Sequence, residues 1–390
     1  MKKRLLALLL ALAMMLSLAA CSSSSSSSSD DEDTASEDTS DDSSSSSDDD
    51  TVYTLYVTNH DAVTSVGEEY VETVLNEISE ASGGRLQFIY YAGGSMFSGG
   101  EAVDAVRSGA ADICWNATSI TVGVFPISEF LNVPLTGITC AQMGSKVLRD
   151  MYNEIEECAA EYDDFYVFEL QGNCAAPLST VGSKIESISD FSGLSIRSAG
   201  TVQSMYIELL GASPSSMSTS EVYEALEKNV ISGMTNDWHN IDCFNLYEVV
   251  DYVMDVTLNT TSCFMLMNKD KYESLPEDLQ ELLDSYNEYA SDMAGWYWDC
   301  MYTITGEKME EEGVEVYDPS DEVLEYMQSE ENAEAMKEWY IEYLDSYGYD
   351  GEAIWDQCME IVERYADEYE DPYAESMALE DWTATVDDYN

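Results

Sequence analysis

Positive charge is what this 390-residue chain has least of: 15 lysines and arginines stand against 78 aspartates and glutamates. Three of those cations, Lys2, Lys3 and Arg4, sit at the extreme N-terminus, which leaves 12 for everything that follows. A surface this acidic repels phosphate, so nucleic acid is excluded as a partner and anionic lipid headgroups are unfavourable ones. Histidine is nearly absent, with only His60 and His239, and the nine cysteines contain no C-x-x-C pair, so no zinc pattern can be assembled. The signatures G-x-S-x-G, H-E-x-x-H and the P-loop are missing. Residues 345–350 faintly suggest a calcium loop, but Tyr347 and Tyr349 stand where oxygen ligands belong. Acids are too numerous for any pair to mark a glycosidase dyad. No catalytic centre, metal or cofactor is therefore expected. No apolar run after residue 16 is long enough for a bilayer span of roughly 20 residues.

What is present begins with a leader. Lys2, Lys3 and Arg4 precede an apolar run at 5–16 and then small residues, the layout of a secretory signal. Leu18-Ala19-Ala20-Cys21 resembles the lipobox of bacterial lipoproteins, in which the cysteine takes the lipid and becomes the first residue. Residues 1–21 are thus expected to be a lipoprotein signal peptide with Cys21 lipidated. That would place the protein outside the cytoplasm, on the outer face of the bacterial cell membrane and held by its lipid anchor only. Residues 22–51 are almost pure Ser, Asp, Glu and Thr, which cannot bury enough apolar surface to fold, and read as a disordered tether. Eight cysteines remain, several within apolar-periodic segments, where buried free thiols are expected.

Globular patterning runs over 52–305. Period-2 stretches at 52–58, 86–91 and 111–115 alternate with helical stripes such as Tyr70, Val71, Val74, Leu75 and Ile78, which predicts a mostly parallel sheet. Ser218 with Glu221 fits a capping box, and Asn229 suits a left-handed helix stop. Pro276 is expected in the first turn of a long helix whose stripe runs from Leu279 to Tyr297. Residues 306–390 form an acidic, tyrosine-rich helical segment. Repeated βα units over this length predict a two-lobed α/β receptor with a cleft between lobes, with a single large α/β domain as the alternative.

Five arginines follow the leader, and four of them lie on acid-rich helices or after a Gly-Gly stop. Only Arg197 stands at a strand-to-loop exit. Ligands of open α/β sheets collect beyond the carboxyl ends of strands, and a guanidinium offers a rigid fork that matches a carboxylate. A salt bridge to one of the 78 acids is the structural alternative.

Several motifs over residues 52–305 carry a resemblance to a known family. They include Ser82-Gly83-Gly84-Arg85-Leu86, Ala92-Gly93-Gly94-Ser95 and Gly109-Ala110-Ala111-Asp112-Ile113. More specific are Gly193-Leu194-Ser195-Ile196-Arg197, then Gly211-Ala212-Ser213-Pro214 with Glu221-Val222-Tyr223-Glu224-Ala225-Leu226, and Ser274-Leu275-Pro276-Glu277-Asp278-Leu279. In this order and spacing the chain resembles the DctP family, the extracytoplasmic solute receptors of tripartite ATP-independent periplasmic (TRAP) transporters. The resemblance implies two α/β lobes joined by hinge strands and a long helix spanning both. It also implies a small organic-acid ligand, membrane permease subunits as partners and a monomeric receptor. Arg197 is the implied carboxylate anchor and Asn236 its companion. Ser232-Gly233-Met234-Thr235-Asn236 keeps the Gly and Asn of the family motif and loses its Asp and following Pro. A further arginine of many members is replaced here by Gly172-Asn173-Cys174-Ala175-Ala176.

One cation implies one fixed carboxylate, with the rest of the ligand met by polar or aromatic groups. Asn116 and Thr118 after the third strand, Trp238 beside Asn236, and His60 after the first strand are the candidates, with Trp115 near them. Ordinary packing is the alternative for His60, Trp115 and Trp238. An anionic ligand is compatible with the net charge. Acids beyond a Debye length of about 8 Å are screened, whereas one contact at ~4 Å is worth about 4 kcal/mol at an effective dielectric near 20. An exported hydrolase and a structural surface lipoprotein are the competing readings.

Overall fold

The computed structural model describes residues 51–390 except Thr64, Asp371, Ala374 and Glu375. The leader with Cys21 and residues 22–50 of the tether lie outside them. Two sheets define two lobes. In the first, β2 (Leu86–Tyr91), β1 (Tyr53–Asn59), β3 (Ile113–Ala117), β10 (Ser262–Asn268) and β4 (Phe165–Gly172) lie in that order. In the second the order is β11 (Glu315–Tyr317), β9 (Tyr252–Met254), β5 (Leu178–Thr180), β8 (Gly233–Thr235), β6 (Ser195–Ser198) and β7 (Ser213–Ser216).

Within each sheet the βα units are parallel, as the alternation predicts: β1 with β2 and β3, and β6 with β7 and β8. The two strands that arrive from the other lobe over extended crossing segments run against them, whereas β11, which follows a helix, is parallel to β9. β10 is antiparallel to β3 and β4, and β5 is antiparallel to β8 and β9. A strand entering a sheet from a crossing segment has no helix to reverse it, which is why both sheets are mixed.

Three segments cross between lobes. Residues 173–177 leave β4 for β5, and residues 255–261 return from β9 to β10. The two are paired, with Asn173 N donating to Thr261 O at 2.7 Å and Ala176 N to Asn259 O at 3.0 Å. The third crossing is the helix Asn287–Glu312, whose 26 residues span about 39 Å. It buries Tyr289, Ala290, Met293 and Ala294 in the first lobe and delivers β11 to the second sheet.

The long helix starts later than the sequence suggests. Pro276 is an N-cap rather than a first-turn residue, and its helix, Glu277–Ser285, closes when Tyr286 N bonds Leu283 O one residue short of the α pattern. The stripe then continues through a second helix. Its buried Thr305 and Met309 carry that helix past the expected boundary at 305 to Glu312. The acidic segment beyond it belongs to the same fold. Helix Glu330–Ser346 buries Met336, Tyr340 and Leu344, with Tyr340 Oη 2.9 Å from both the Pro126 and Ile127 carbonyls, which share its one proton. Arg364, on helix Gly351–Tyr365, pairs with Asp150 and Glu154. The capping box of Ser218 and Glu221 and the left-handed Asn229, at φ 53°, are as predicted. All eight described cysteines are free thiols, seven of them buried.

Buried acids set the pH response of this fold. Tyr70 Oη lies 2.8 Å from Glu169 Oε2 and 2.9 Å from the Ala290 carbonyl. A phenol has one proton, so both contacts are satisfied when Glu169 keeps its own. Burial agrees, pushing Glu169 up to about 8, Glu161 to about 8 and Glu129 to about 7. An acid whose folded pKa is raised holds its proton longer in the folded state, so stability falls as pH rises from the unfolded to the folded value. Burial lowers His60 to about 4 and His239 to about 3, which removes stability only below the ordinary histidine value of about 6.5. Above that the acids act, joined toward pH 8.5 by the cysteine thiols, which burial also raises and which shift stability in the same direction. The melting temperature is therefore expected to fall between pH 6.5 and 8.5, by roughly 2 °C for each kcal/mol lost. Glu169→Gln, whose amide donates to Tyr70 without a titration, should flatten that slope in a calorimetric pH series.

Candidate functional site

A cavity of about 700 Å³ lies between the lobes, lined by the ends of β1, β3, β6 and β8, the loops after β2 and β7, and the crossing segments. On the second lobe its wall is Arg197. The side chain leaves the carboxyl end of β6 and is 4% exposed. Nε donates to Met217 O at 3.2 Å, Nη1 to Thr235 O at 3.3 Å and to Asn236 Oδ1 at 2.9 Å, and Nη2 to Thr219 Oγ1 at 3.0 Å. A guanidinium has five N–H groups. Four meet neutral oxygens, which leaves one on Nη2.

Arg85, Arg107, Arg149 and Arg364 each have a carboxylate oxygen within 4.0 Å. Among the described residues Arg197 has none. Burial lowers its pKa to about 10, against the opposing field of Asp237, so it remains a cation at neutral pH.

Local sequence places its companions. A Cβ on Gly233 would stand 2.4 Å from Ser179 O, so only glycine lets β8 lie against β5 at this point. Asn236 follows β8, and Asp237 then caps helix Trp238–Cys243 by accepting from Asn240 N at 2.8 Å.

The first-lobe wall is built at the end of β1. Gly93 and Gly94, with φ of 62° and 64°, fold the loop after β2 onto the 59–61 turn through bonds to Asp61 O at 2.7 Å and Asn59 O at 2.9 Å. His60 stacks on Trp115 with ring centroids 5.4 Å apart, and Trp115 stacks on Trp298 of the long helix at 5.5 Å. Asp61 lies between two imidazoles, 3.8 Å from His60 Nε2 and 3.8 Å from His239 Nε2. Burial, with the fields of Asp237 and Glu68, raises its pKa to about 8. Burial also raises Asp237.

Of the residues singled out from sequence, Arg197 and His60 line the cavity, as does Trp115. Asn236 stands behind Arg197 and positions it. Asn116, Thr118 and Trp238 do not line the cavity. Asn116 ties helix Gly99–Arg107 to β3 through Gly99 O at 2.7 Å. Thr118 accepts from Asn132 Nδ2 at 3.2 Å. Trp238 is 2% exposed and meets Tyr302 edge-on at 5.1 Å. The lining also includes Asp61, Asn173, Gln203, Thr219, Asp237 and Phe244, which sequence reasoning missed. Asp61 adjoins His60 at a strand exit and Thr219 adjoins the capping serine; those positions were the available signals, hidden among 78 acids and many serines and threonines. Among the described residues no three His, Cys, Asp or Glu side chains converge as a metal cluster.

Residues 58–343 match the family described as DctP, bacterial extracellular solute-binding protein, family 7. A marine metagenome TRAP solute-binding protein crystallised with 3-hydroxybenzoate superposes with a TM-score of 0.76 at 24% identity, over 81% of this chain and 99% of that one. A Rhodoferax ferrireducens TRAP solute-binding protein with copurified benzoate gives 0.75 at 22%, over 82% and 100%. An uncharacterized protein of Sinorhizobium fredii, y4mM, is 24% identical over 208 residues, 52% of this chain, and the match spans only 38% of that relative. The family match covers both lobes and both crossing segments, and the fold is that of the solved receptors; this chain belongs to the DctP family, the extracytoplasmic solute receptors of TRAP transporters.

Proposed function

We propose that the protein captures a small organic acid in the inter-lobe cavity through Arg197 and delivers it to TRAP permease subunits, without chemical turnover. One observation carries the reading. Arg197 is a buried cation with no described carboxylate within 4.0 Å, in a chain where every other arginine after the leader has one. An unpaired buried charge is costly, and a ligand carboxylate on the free Nη2 hydrogen supplies the missing counter-ion. Asn236 orients the fork by accepting from Nη1. The aromatic ladder of His60, Trp115 and Trp298 gives the remainder of the ligand a flat apolar wall. The benzoate and 3-hydroxybenzoate of the two solved relatives are acids that such a wall and fork would suit.

The lipobox supports a receptor tethered through Cys21 to the outer face of the membrane, acting as a monomer with the acidic linker between anchor and lobes. An exported hydrolase would need a nucleophile or general base aimed at the ligand, whereas His60 lies stacked on Trp115 as part of the aromatic wall.

Thermal unfolding against a panel of benzoates, hydroxy acids, sugar acids and dicarboxylates tests the site. A true ligand at 100 times Kd should add about 2.7 kcal/mol of stability. Arg197→Ala should abolish the shift, and Arg197→Lys should leave most of it lost because the fork is gone. A shift retained in Arg197→Ala would remove the assignment. For the anchor, Cys21→Ser is expected to move the protein from the membrane fraction to the soluble fraction, and mass spectrometry of the wild type should find acyl chains on Cys21.

A further inference from the structure

The cavity wall facing Arg197 poses the opposite electrostatic problem. Asp61 lines the cavity with its side chain 3% exposed, and its buried Oδ2 has no hydrogen-bond partner among the described residues. Its nearest polar neighbours offer nothing. His239 Nε2 already accepts from Gly67 N at 3.2 Å, so it carries no proton to donate to Asp61 Oδ2, 3.8 Å away. His60 Nε2 is 3.8 Å from Asp61 Oδ1, too far for a hydrogen bond. Asp237, the other aspartate of the lining, adds repulsion, as does Glu68. Among the described residues no lysine or arginine other than Arg197 lines the cavity.

A buried carboxylate without a donor is expensive unless it is neutralised or a donor arrives. Resting on the proposed capture of an acid at Arg197, we infer that the ligand is a zwitterion: its carboxylate meets Arg197, and a protonated nitrogen meets Asp61. A plain carboxylate would bring a third acidic group into a cavity that already holds two aspartates, and could be tolerated only with Asp61 kept protonated. An ammonium group removes that penalty and supplies the N–H donors that Asp61 lacks. In the empty protein the raised pKa of Asp61 keeps it largely protonated at neutral pH. Arrival of the ammonium ionises it, so the aspartic proton leaves to buffer while the ligand nitrogen keeps its own.

The test is calorimetric titration of the full chain with matched probes: glycine, β-alanine, 4-aminobutyrate, 5-aminopentanoate and phenylalanine, each against its hydroxy-acid counterpart, with benzoate as the plain acid. The amino acid of at least one pair should bind more tightly than its hydroxy partner. It should release a proton that is counted by repeating the titration in buffers of different ionisation enthalpy, a measurement that needs no variant. Asp61→Asn should weaken that amino acid about 30-fold or more while leaving hydroxy and plain acids unchanged or tighter. If only hydroxy or plain acids bind, or if Asp61→Asn leaves amino-acid affinity intact, the zwitterion is wrong and capture at Arg197 stands. If no carboxylate of any kind binds, both readings fall.

Discussion

The fold is arranged around one buried guanidinium that has no carboxylate within 4.0 Å among the described residues. Four of the five N–H groups of Arg197 are held by Met217, Thr235, Asn236 and Thr219, all neutral oxygens. That arrangement fixes the fork without discharging it. Asp237 is close enough for its field to be felt, yet its oxygens are turned to Asn240 as a helix cap. A carboxylate brought in by a ligand then meets a charge that is already oriented, so little reorganisation is needed when it binds.

The opposite wall depends on connectivity. β1, β3 and the loop after β2 put His60, Asp61 and Trp115 at one sheet's carboxyl edge, while β6 and β8 put Arg197 and Asn236 at the other's. The paired crossing segments hold these edges face to face, and Asn173, Ala176 and Thr261 of those segments form part of the cavity floor. The long helix adds Trp298 beneath Trp115 and then carries the chain into the second sheet. Each lobe therefore supplies half of the chemistry, and neither half is a site alone.

Much of this was legible in the residues. Period-2 and period-3.6 stripes located the βα units, and the scarcity of cations made Arg197 conspicuous at its strand exit. The direction of β5 and β10 was not legible, because nothing local in Leu178 or Ser262 says from which lobe the strand arrives. The break at Tyr286 was equally hidden, since the apolar stripe runs on through both helices. Asn116, Thr118 and Trp238 sit at strand ends or beside Asn236 as ligand residues would, but Asn116 is turned to the Gly99 carbonyl, Thr118 to the Asn132 amide and Trp238 to the Tyr302 ring. Asp61 went unnoticed for the reverse reason. One aspartate among 78 acids carries no signal until burial and missing donors distinguish it.

A crystal structure of the protein with an acid identified by its stabilising effect addresses the central claim most directly. A ligand carboxylate oxygen is expected within about 3.2 Å of Arg197 Nη2, with the bonds to Asn236 and Thr219 kept. A ligand carboxylate seated elsewhere in the cavity, or an aspartate of the chain swung in to pair with Arg197, would contradict it.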